Sequence, residues 1–124
     1  MNMDKNVLTL AYLGDSIYEI YIRHYLVKKN IVKVNDLQKE AVKYVSATAQ
    51  AQFLKNMIDE NFLNEKEMEF VLRARNHKVN HKPKNASIIT YKYATGLEAL
   101  IGYYYLEENK KRIDEIMNFI IEGD

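Results

Sequence analysis

Two acidic residues occupy positions where an amphipathic helix would place a hydrophobic one, and both lie close to a glycine. Asp15 directly follows Gly14, and Glu98 comes two residues after Gly96. A carboxylate on a buried helical face costs several kcal/mol unless a cation balances its charge. Two carboxylates that share one pocket need that cation even more. Oxygen ligands of this kind suit Mg²⁺, which commonly takes one or two carboxylates together with waters and phosphate oxygens.

Small residues around the two acids predict that their helices cross closely. Thr95, Glu98 and Gly102 share one helical face by their spacing of three and four residues. Ala11 lies one turn before Asp15, so small side chains also surround the first acid. Two helices this thin can approach each other until both carboxylates face one pocket. The sequence therefore predicts a carboxylate pair between the two helices.

A purely structural interpretation of the acids stays open from spacing alone. Asp15 could bond to a neighbouring tyrosine or arginine, and Glu98 could pair with Lys92 or Arg23. Other chemistries have less support, because the chain has no cysteine and its four glycines form no phosphate-binding loop. Metal-assisted hydrolysis of a phosphodiester is the chemistry that remains. A bound Mg²⁺ lowers the pKa of a water ligand and stabilises a leaving oxygen.

Length and composition predict one helical domain. The chain has 124 residues, of which 48% are hydrophobic, with only four Gly and one Pro. These values favour a single domain over residues 1–124 and an all-α fold of about five to seven helices. No run of 18 apolar residues is present, and the first residues do not resemble a secretory signal. We therefore expect a cytoplasmic protein without membrane contact.

Helical periodicity covers most of the chain. Asn35 followed by Gln38 resembles an N-cap, and Asn64 with Glu67 resembles a capping box. The predicted helices span about residues 5–29, 35–61, 64–76, 90–108 and 111–121. The predicted core face of the first helix contains Leu8, Tyr12, Ile17, Ile20, Tyr21, Ile22 and Leu26. That of the second contains Val42, Val45, Ala49, Phe53, Leu54 and Ile58.

Positive charge is concentrated in one stretch, although the net charge is only +1. Residues 70–97 contain six of the 18 basic residues and no Asp or Glu. The stretch is either a solvated loop whose acidic partners come from elsewhere in the fold, or a local surface for phosphate groups. Its basic residues are Arg73, Arg75, Lys78, Lys82, Lys84 and Lys92.

The segments around both acids resemble the catalytic domain of the ribonuclease III family. The similar stretches follow the order that the family has and cover most of the chain. The resemblance is greatest to the Mini-III branch, which consists of this domain without a double-stranded RNA-binding domain. The matching stretches are 11–15 (AYLGD), 44–51 (YVSATAQA), 72–76 (LRARN), 83–85 (PKN), 91–95 (YKYAT) and 97–106 (LEALIGYYYL).

This resemblance implies the reaction and the residues that perform it. It implies an α-helical homodimer that cuts double-stranded RNA with Mg²⁺, leaves 5′-phosphate and 3′-hydroxyl ends, and matures the precursor of 23S ribosomal RNA. By motif, Asp15 and Glu98 are the implied catalytic residues and metal ligands. Ala11 and Thr95 stand where full-length ribonuclease III has acids, so a water-rich metal shell is expected. The sequence leaves open whether Thr95 or Glu19 assists that shell.

The basic stretch is the expected RNA-binding surface, because proteins recognise A-form RNA by its shape, phosphates and 2′-hydroxyls. Asn85 is either a polar contact to RNA or a cap for the helix that follows. Ser46 and Gln50 match family positions, and capping or packing accounts for both without a catalytic role. The expected RNA contacts are Arg73, Arg75, Lys78, Lys82, Lys84, Asn85 and Lys92.

The expected partners are a second copy of the chain and precursor ribosomal RNA. Three consecutive tyrosines, Tyr103 to Tyr105, cannot all point inward from one helix, and exposed aromatic side chains favour an interface. An accessory ribosomal protein is a further candidate partner. Two other functions stay open: an inactive helical RNA-binding or ribosome-associated protein, and an interaction module whose acids form ordinary salt bridges.

Overall fold

A computed structural model describes residues 6–77 and 87–123 of the chain. Within these ranges the chain forms six α-helices and no strand, which confirms the all-α prediction. None of the helices in the same ranges has the length and hydropathy needed to cross a membrane. The helices are α1 (Val7–Lys28), α2 (Val34–Val45), α3 (Ala47–Asp59), α4 (Glu65–Arg75), α5 (Ile88–Leu106) and α6 (Lys110–Glu122).

Side-chain caps fix where most of these helices begin. The predicted capping box at the start of α4 is confirmed: the Asn64 side chain accepts from the amide of Glu67, and the Glu67 side chain accepts from the amide of Asn64. Each such bond satisfies an amide that has no partner inside the helix. The other capping side chains are Asn6, Ser46, Ser87 and Asn109.

The predicted long helix over residues 35–61 is wrong, because the helix breaks at Ser46. Ser46 has extended geometry (φ −64°, ψ 152°), and its hydroxyl accepts a hydrogen bond of 3.2 Å from the amide of Ala49. The first piece, α2, begins one residue before Asn35, and Lys33 holds the capping position without a side-chain bond. The break leaves the hydrophobic period almost unchanged, so the periodicity alone did not reveal it.

The predicted core faces are partly wrong as well. In α1 the side chains of Leu8, Tyr12 and Ile20 are exposed, and in α2 that of Val42 is exposed. Apolar residues cover most of the circumference of α1, so periodicity could not select its buried face. The close contact with α5 selected it instead. The predicted positions of α1 that are buried are Ile17, Ile22 and Leu26.

The core is built around α5, which packs against α1, α3 and α4. Leu97, Leu100 and Ile101 of this helix are completely buried. The last helix, α6, extends one residue beyond each end of its predicted range. Its side of the core consists of Ile113, Ile116, Met117 and Ile120.

A buried ion pair connects α4, α5 and α6. Glu67 is completely buried, and its two carboxylate oxygens accept hydrogen bonds of 2.7 Å from the guanidinium of Arg112. The hydroxyl of Tyr104 donates to the same carboxylate. Burial opposes ionisation, but the bonds from Arg112, Tyr104 and the Asn64 amide together hold the pKa of Glu67 below its ordinary value. This acid is therefore a satisfied structural anion.

Candidate active site

The helices α1 and α5 cross with their backbones in contact at the residues that carry the two predicted acids. A Cβ added to Gly14 would lie 1.7 Å from the carbonyl oxygen of Glu98. One added to Gly102 would lie 2.0 Å from the carbonyl oxygen of Leu10. No side chain tolerates such distances, so both positions require glycine. The predicted close crossing is confirmed, and it brings the backbone of Glu98 next to Asp15.

The carboxyl groups of Asp15 and Glu98 are close enough to share a hydrogen bond. Burial and the neighbouring carboxyl of Asp15 raise the pKa of Glu98 from its ordinary 4.5 to about 8. The side-chain amide of Gln50 acts in the opposite direction, because its Nε2 donates to Oε2 of Glu98 at 3.4 Å. Without a cation, the pair thus retains a proton near neutral pH. A divalent cation would remove the repulsion that keeps this proton in place.

The two acids differ in their access to solvent. Asp15 is exposed, whereas Glu98 is half-buried, so the prediction that both occupy a buried face is wrong for Asp15. The reason is that Asp15 lies at the edge of the helix crossing and Gly14 occupies its centre. One side of the pair is consequently open to water and to a substrate, while the other side is packed against protein.

The ion pairs proposed as structural alternatives for the two acids are not found among the described residues. Arg23, one candidate partner of Glu98, pairs with Glu19 at 2.9 Å instead. Within residues 6–77 and 87–123, no lysine or arginine forms an ion pair with either Asp15 or Glu98. Among the residues that the structure describes, the pair is therefore a local excess of acid without a lysine or arginine that balances it.

Tyr18 lies close to the acid pair but has no free hydroxyl. The side chain is completely buried, and its hydroxyl donates a hydrogen bond of 2.6 Å to the carbonyl oxygen of Tyr44. Burial raises the pKa of Tyr18 far above its ordinary value, and the charge of Glu98 raises it further. Because Tyr18 is neutral and its hydroxyl is already hydrogen-bonded, its role at the site is to pack against the acid pair, and it does not act as an acid or base.

The donor set fits Mg²⁺ better than it fits zinc. Across the part of the chain that the structure describes, no group of three or more His, Cys, Asp or Glu side chains comes together. Thr95, which is buried, and Glu19, which is paired with Arg23, add no free charge. Zinc sites in proteins usually have three or four protein ligands, whereas Mg²⁺ accepts one or two carboxylates and fills its octahedron with waters.

Three of the seven expected RNA contacts lie within the described residues. Arg73 is exposed and pairs with Glu69 at 2.9 Å, so its acidic partner lies just outside the basic stretch. Lys92 is half-buried near the start of α5. Arg75 contacts Tyr93, as described next. The remaining four predicted contacts, which lie outside the described residues, are Lys78, Lys82, Lys84 and Asn85.

Two cations from different helices meet at one aromatic ring. The ammonium of Lys55 lies 5.1 Å from the ring centroid of Tyr93, and the guanidinium of Arg75 lies 5.8 Å from it. Arg75 also donates to the hydroxyl of Tyr93 at 3.4 Å. Sequence analysis missed Lys55, because α3 lies outside the basic stretch and only the fold brings the two cations together.

Sequence analysis also missed the contact of Gln50 with the acid pair. Gln50 lies one turn before Leu54 and two turns before Met57, both of which are completely buried. A polar residue on an otherwise apolar helical face was therefore a readable signal. The identity of its partner was not readable, since Glu98 lies 48 residues away.

The fold is that of a known class of nucleases: the chain belongs to the ribonuclease III family. The family model described as Ribonuclease III domain matches residues 8–109. A crystal structure of a protein from Fusobacterium nucleatum has a TM-score of 0.85 to this chain at 36% identity. The alignment covers 98% of this chain and 95% of that one.

Individual relatives identify the branch of the family. Mini-ribonuclease 3 of Brevibacillus brevis is 46% identical, with 96% of this chain and 90% of the relative covered. Mini-ribonuclease 3 of Streptococcus pneumoniae is 43% identical, with 94% of this chain and 91% of the relative covered. Within the family, the chain is a member of the branch that these relatives represent, which confirms the resemblance seen in the sequence.

Proposed function

We propose that Asp15 and Glu98 are the catalytic acids of an Mg²⁺-dependent cleavage of double-stranded RNA. As a member of the Mini-ribonuclease 3 branch, the chain is an endoribonuclease that matures the precursor of 23S ribosomal RNA. The observation that carries the assignment of the acids is their contact at the α1–α5 crossing without a balancing lysine or arginine among the described residues. Such uncompensated acids favour a cation site.

Each acid has a distinct part in this proposal. Asp15 and Glu98 would hold the metal, and the exposed Asp15 would face the RNA backbone. When bound, Mg²⁺ supplies positive charge for the scissile phosphate and increases the acidity of water near it. Glu98 must release its proton for the metal to bind, because carboxylates bind metals in their ionised form. The packed side of the site keeps the Glu98 side chain in one orientation.

We propose a phosphate-binding surface formed by the basic stretch together with Lys55. Support comes from Lys55 and Arg75, which have no carboxylate partner among the described residues. Contacts of this kind release counterions from RNA, so affinity for a duplex should fall steeply with salt. Binding that is insensitive to salt would contradict it. The proposed contacts are Lys55, Arg73, Arg75, Lys78, Lys82, Lys84, Asn85 and Lys92.

We also propose that the chain acts as a homodimer. Tyr12 is 82% exposed and Ile20 is 64% exposed on α1, and Ile20 lines an apolar groove with Tyr105 and Leu106 of α5. Exposed apolar surface of this kind favours a protein interface. Two copies would present two acid pairs, one for each strand of a duplex. Sedimentation velocity tests this, since a single species of 14.6 kDa would contradict it.

The cellular setting follows from the substrate. Precursor ribosomal RNA in bacteria is made in the cytoplasm, so we propose that location. An accessory ribosomal protein that presents the RNA is part of the same proposal. Its contribution is measurable as faster cleavage of the precursor when ribosomal proteins are added, and an unchanged rate would remove it.

A cleavage assay with acid variants tests the catalytic assignment. Asp15→Asn and Glu98→Gln should each slow Mg²⁺-dependent cleavage of a long duplex and of precursor ribosomal RNA by ~10³-fold or more, because they remove a metal ligand. Both should bind duplex as wild type does in the absence of Mg²⁺, and both should keep the helical circular-dichroism spectrum. Asp59→Asn, which changes an exposed acid at the end of α3, is the matched control and should cleave normally.

The outcomes separate the proposed function from its alternatives. Full Mg²⁺-dependent activity in either acid variant would remove that residue from the catalytic site. A wild-type protein that binds duplex without cleaving it would favour the inactive RNA-binding protein. Absence of duplex binding even at low salt would favour the interaction module.

A further inference from the structure

Gln50 is a buried amide that is directed at one of the two proposed metal ligands. Its side chain is 2% exposed, and its Nε2 donates to Oε2 of Glu98 at 3.4 Å. Burial of an amide group is unfavourable unless its hydrogen bonds are satisfied. Packing alone would be served better by Leu or Met at this position. The hydrogen bond to Glu98 is therefore the feature of Gln50 that packing does not explain.

The helix break at Ser46 directs Gln50 toward the acid pair. Ser46 ends α2 and caps α3, and its carbonyl oxygen accepts the first hydrogen bond of α3, from the amide of Gln50 at 3.0 Å. Gln50 therefore belongs to the first turn of a separate short helix that packs against α5. A single helix through this region would point the residue elsewhere. The break that periodicity missed is thus what brings this amide to Glu98.

We infer that Gln50 is a positioning residue, which holds the Glu98 carboxylate in the orientation needed to bind the metal together with Asp15. This inference rests on the proposed function. Glu98 has contacts on two sides, with the amide of Gln50 from α3 and the carboxyl of Asp15 from α1. The amide restrains one oxygen and leaves the other lone pairs for the cation. Loss of a partner that orients a metal ligand in this way typically lowers metal affinity or activity by roughly 10- to 100-fold.

Gln50 carries no charge, and this neutrality suits a residue beside a metal ligand. An arginine or lysine at this position would pair with Glu98 and cancel the negative charge that attracts the metal. A carboxylate would add a third negative charge beside two acids and would repel Glu98. An amide avoids both, because it fixes the position of Glu98 by a hydrogen bond and leaves the net charge of the site unchanged.

The test measures binding of Mg²⁺ alone by titration calorimetry, with no RNA present. Gln50→Met keeps a similar volume and removes the donor, so Mg²⁺ affinity should fall by roughly 10- to 100-fold. Gln52→Met is the matched control: Gln52 lies on the same helix, is exposed and donates to Asn56, so affinity should stay at the wild-type level. At low Mg²⁺, Gln50→Met should cleave slowly, and a higher Mg²⁺ concentration should restore cleavage while the KM for duplex stays constant.

A structural role for Gln50 predicts a different pattern. In that case Gln50→Met would change the unfolding temperature of the metal-free protein and leave Mg²⁺ affinity within twofold of wild type, which would overturn the inference. If Gln50→Met does not fold, Gln50→Asn decides in the same titration. Its shorter side chain keeps the amide and withdraws it from Glu98, so weaker Mg²⁺ binding is again expected and unchanged binding overturns the inference.

The wild-type titration separates this inference from the proposed function. A wild-type protein that neither binds Mg²⁺ nor cleaves duplex would contradict the proposed function itself. A wild-type protein that does both, accompanied by a Gln50→Met variant that behaves identically, would contradict only the positioning role of Gln50.

Discussion

Two glutamates, Glu67 and Glu98, both extend toward the interior of the protein, but their electrostatic environments are opposite. Glu67 is completely buried, but Arg112 bonds both of its oxygens and the hydroxyl of Tyr104 adds a third donor. Glu98 is half-buried, faces Asp15 and accepts a hydrogen bond from the neutral amide of Gln50. The pKa of Glu67 is accordingly lowered, whereas that of Glu98 is raised to about 8.

The comparison shows how one residue type is used for structure and for chemistry. A buried carboxylate that has a cation and satisfied hydrogen bonds contributes to the fold and cannot bind anything else. A carboxylate that is placed against another acid raises the free energy of the metal-free protein, and a divalent cation can recover that free energy on binding. The location of uncompensated charge, more than the degree of burial, is therefore the basis on which we propose a metal site at Asp15 and Glu98.

The largest effect on stability should come from breaking the Glu67 pair. Arg112→Met leaves Glu67 buried without its cation, and breaking a buried pair in this way should destabilise the fold by about 3–5 kcal/mol. In a domain of this size that corresponds to a fall of roughly 10–20 °C in the unfolding temperature. Cleavage per folded molecule at low temperature should stay normal, because this pair is separate from the acid pair.

The control for that variant is Arg23→Met. Its ion pair with Glu19 is exposed, so its loss should change stability by at most about 1 kcal/mol. In addition, Glu67→Leu combined with Arg112→Met should be less destabilising than Arg112→Met alone, since no buried charge is left unpaired. Thermal unfolding of the four proteins checks both points. Equal losses of stability in Arg23→Met and Arg112→Met would contradict the structural role that distinguishes Glu67 from Glu98.

At Glu98 we expect a smaller effect on stability, and one of opposite sign: removal of the charge should stabilise the metal-free protein. Because the pKa of Glu98 is higher in the folded protein than its ordinary 4.5, the metal-free protein loses stability as pH rises from 4.5 through about 8. Glu98→Gln cannot ionise, so in EDTA it should be more stable than wild type above pH 8, by on the order of 2 kcal/mol after allowance for partial exposure. The gain should be small near pH 5.

Addition of Mg²⁺ should reverse this order at pH 8, because the metal stabilises only the protein that binds it. Glu60→Gln, at an exposed position, is the control and should match wild type at every pH. The measurement is the unfolding temperature against pH, with EDTA and with Mg²⁺. A Glu98→Gln variant that is less stable than wild type in EDTA at pH 8 would show that Glu98 has a compensating partner, as Glu67 does.

Features of the fold that depend on neighbouring residues were predictable from the sequence, whereas features that depend on contacts between distant residues were not. Asn64 and Glu67 correctly marked the start of α4, because a capping box lies within four residues. The second role of Glu67 was not predicted, since its partner Arg112 lies 45 residues away. The long helix over residues 35–61 was wrong because a single serine can end one helix and begin the next without a change in hydrophobic period.

The proximity of the two acids was predictable because glycine, which has no side chain, allows two helix backbones to come into contact. Gly14 and Gly102 indicated a close helix crossing, and the backbone of the facing helix leaves no room for a side chain at either position. The exposure of Asp15 could not be deduced, because α1 is apolar around most of its circumference and the pattern did not fix its rotation. Lys55 lies outside the basic stretch, so its approach to Tyr93 required the tertiary structure.

The most direct test of the central claim is to locate a divalent cation in crystals of this protein grown or soaked with Mn²⁺ in place of Mg²⁺. We expect an anomalous difference peak between the carboxyl groups of Asp15 and Glu98, about 2.0–2.3 Å from an oxygen of each. The peak should be absent from crystals of Glu98→Gln. A wild-type crystal in which Mn²⁺ occupies another site, while these two acids stay hydrogen-bonded to each other, would contradict the central claim.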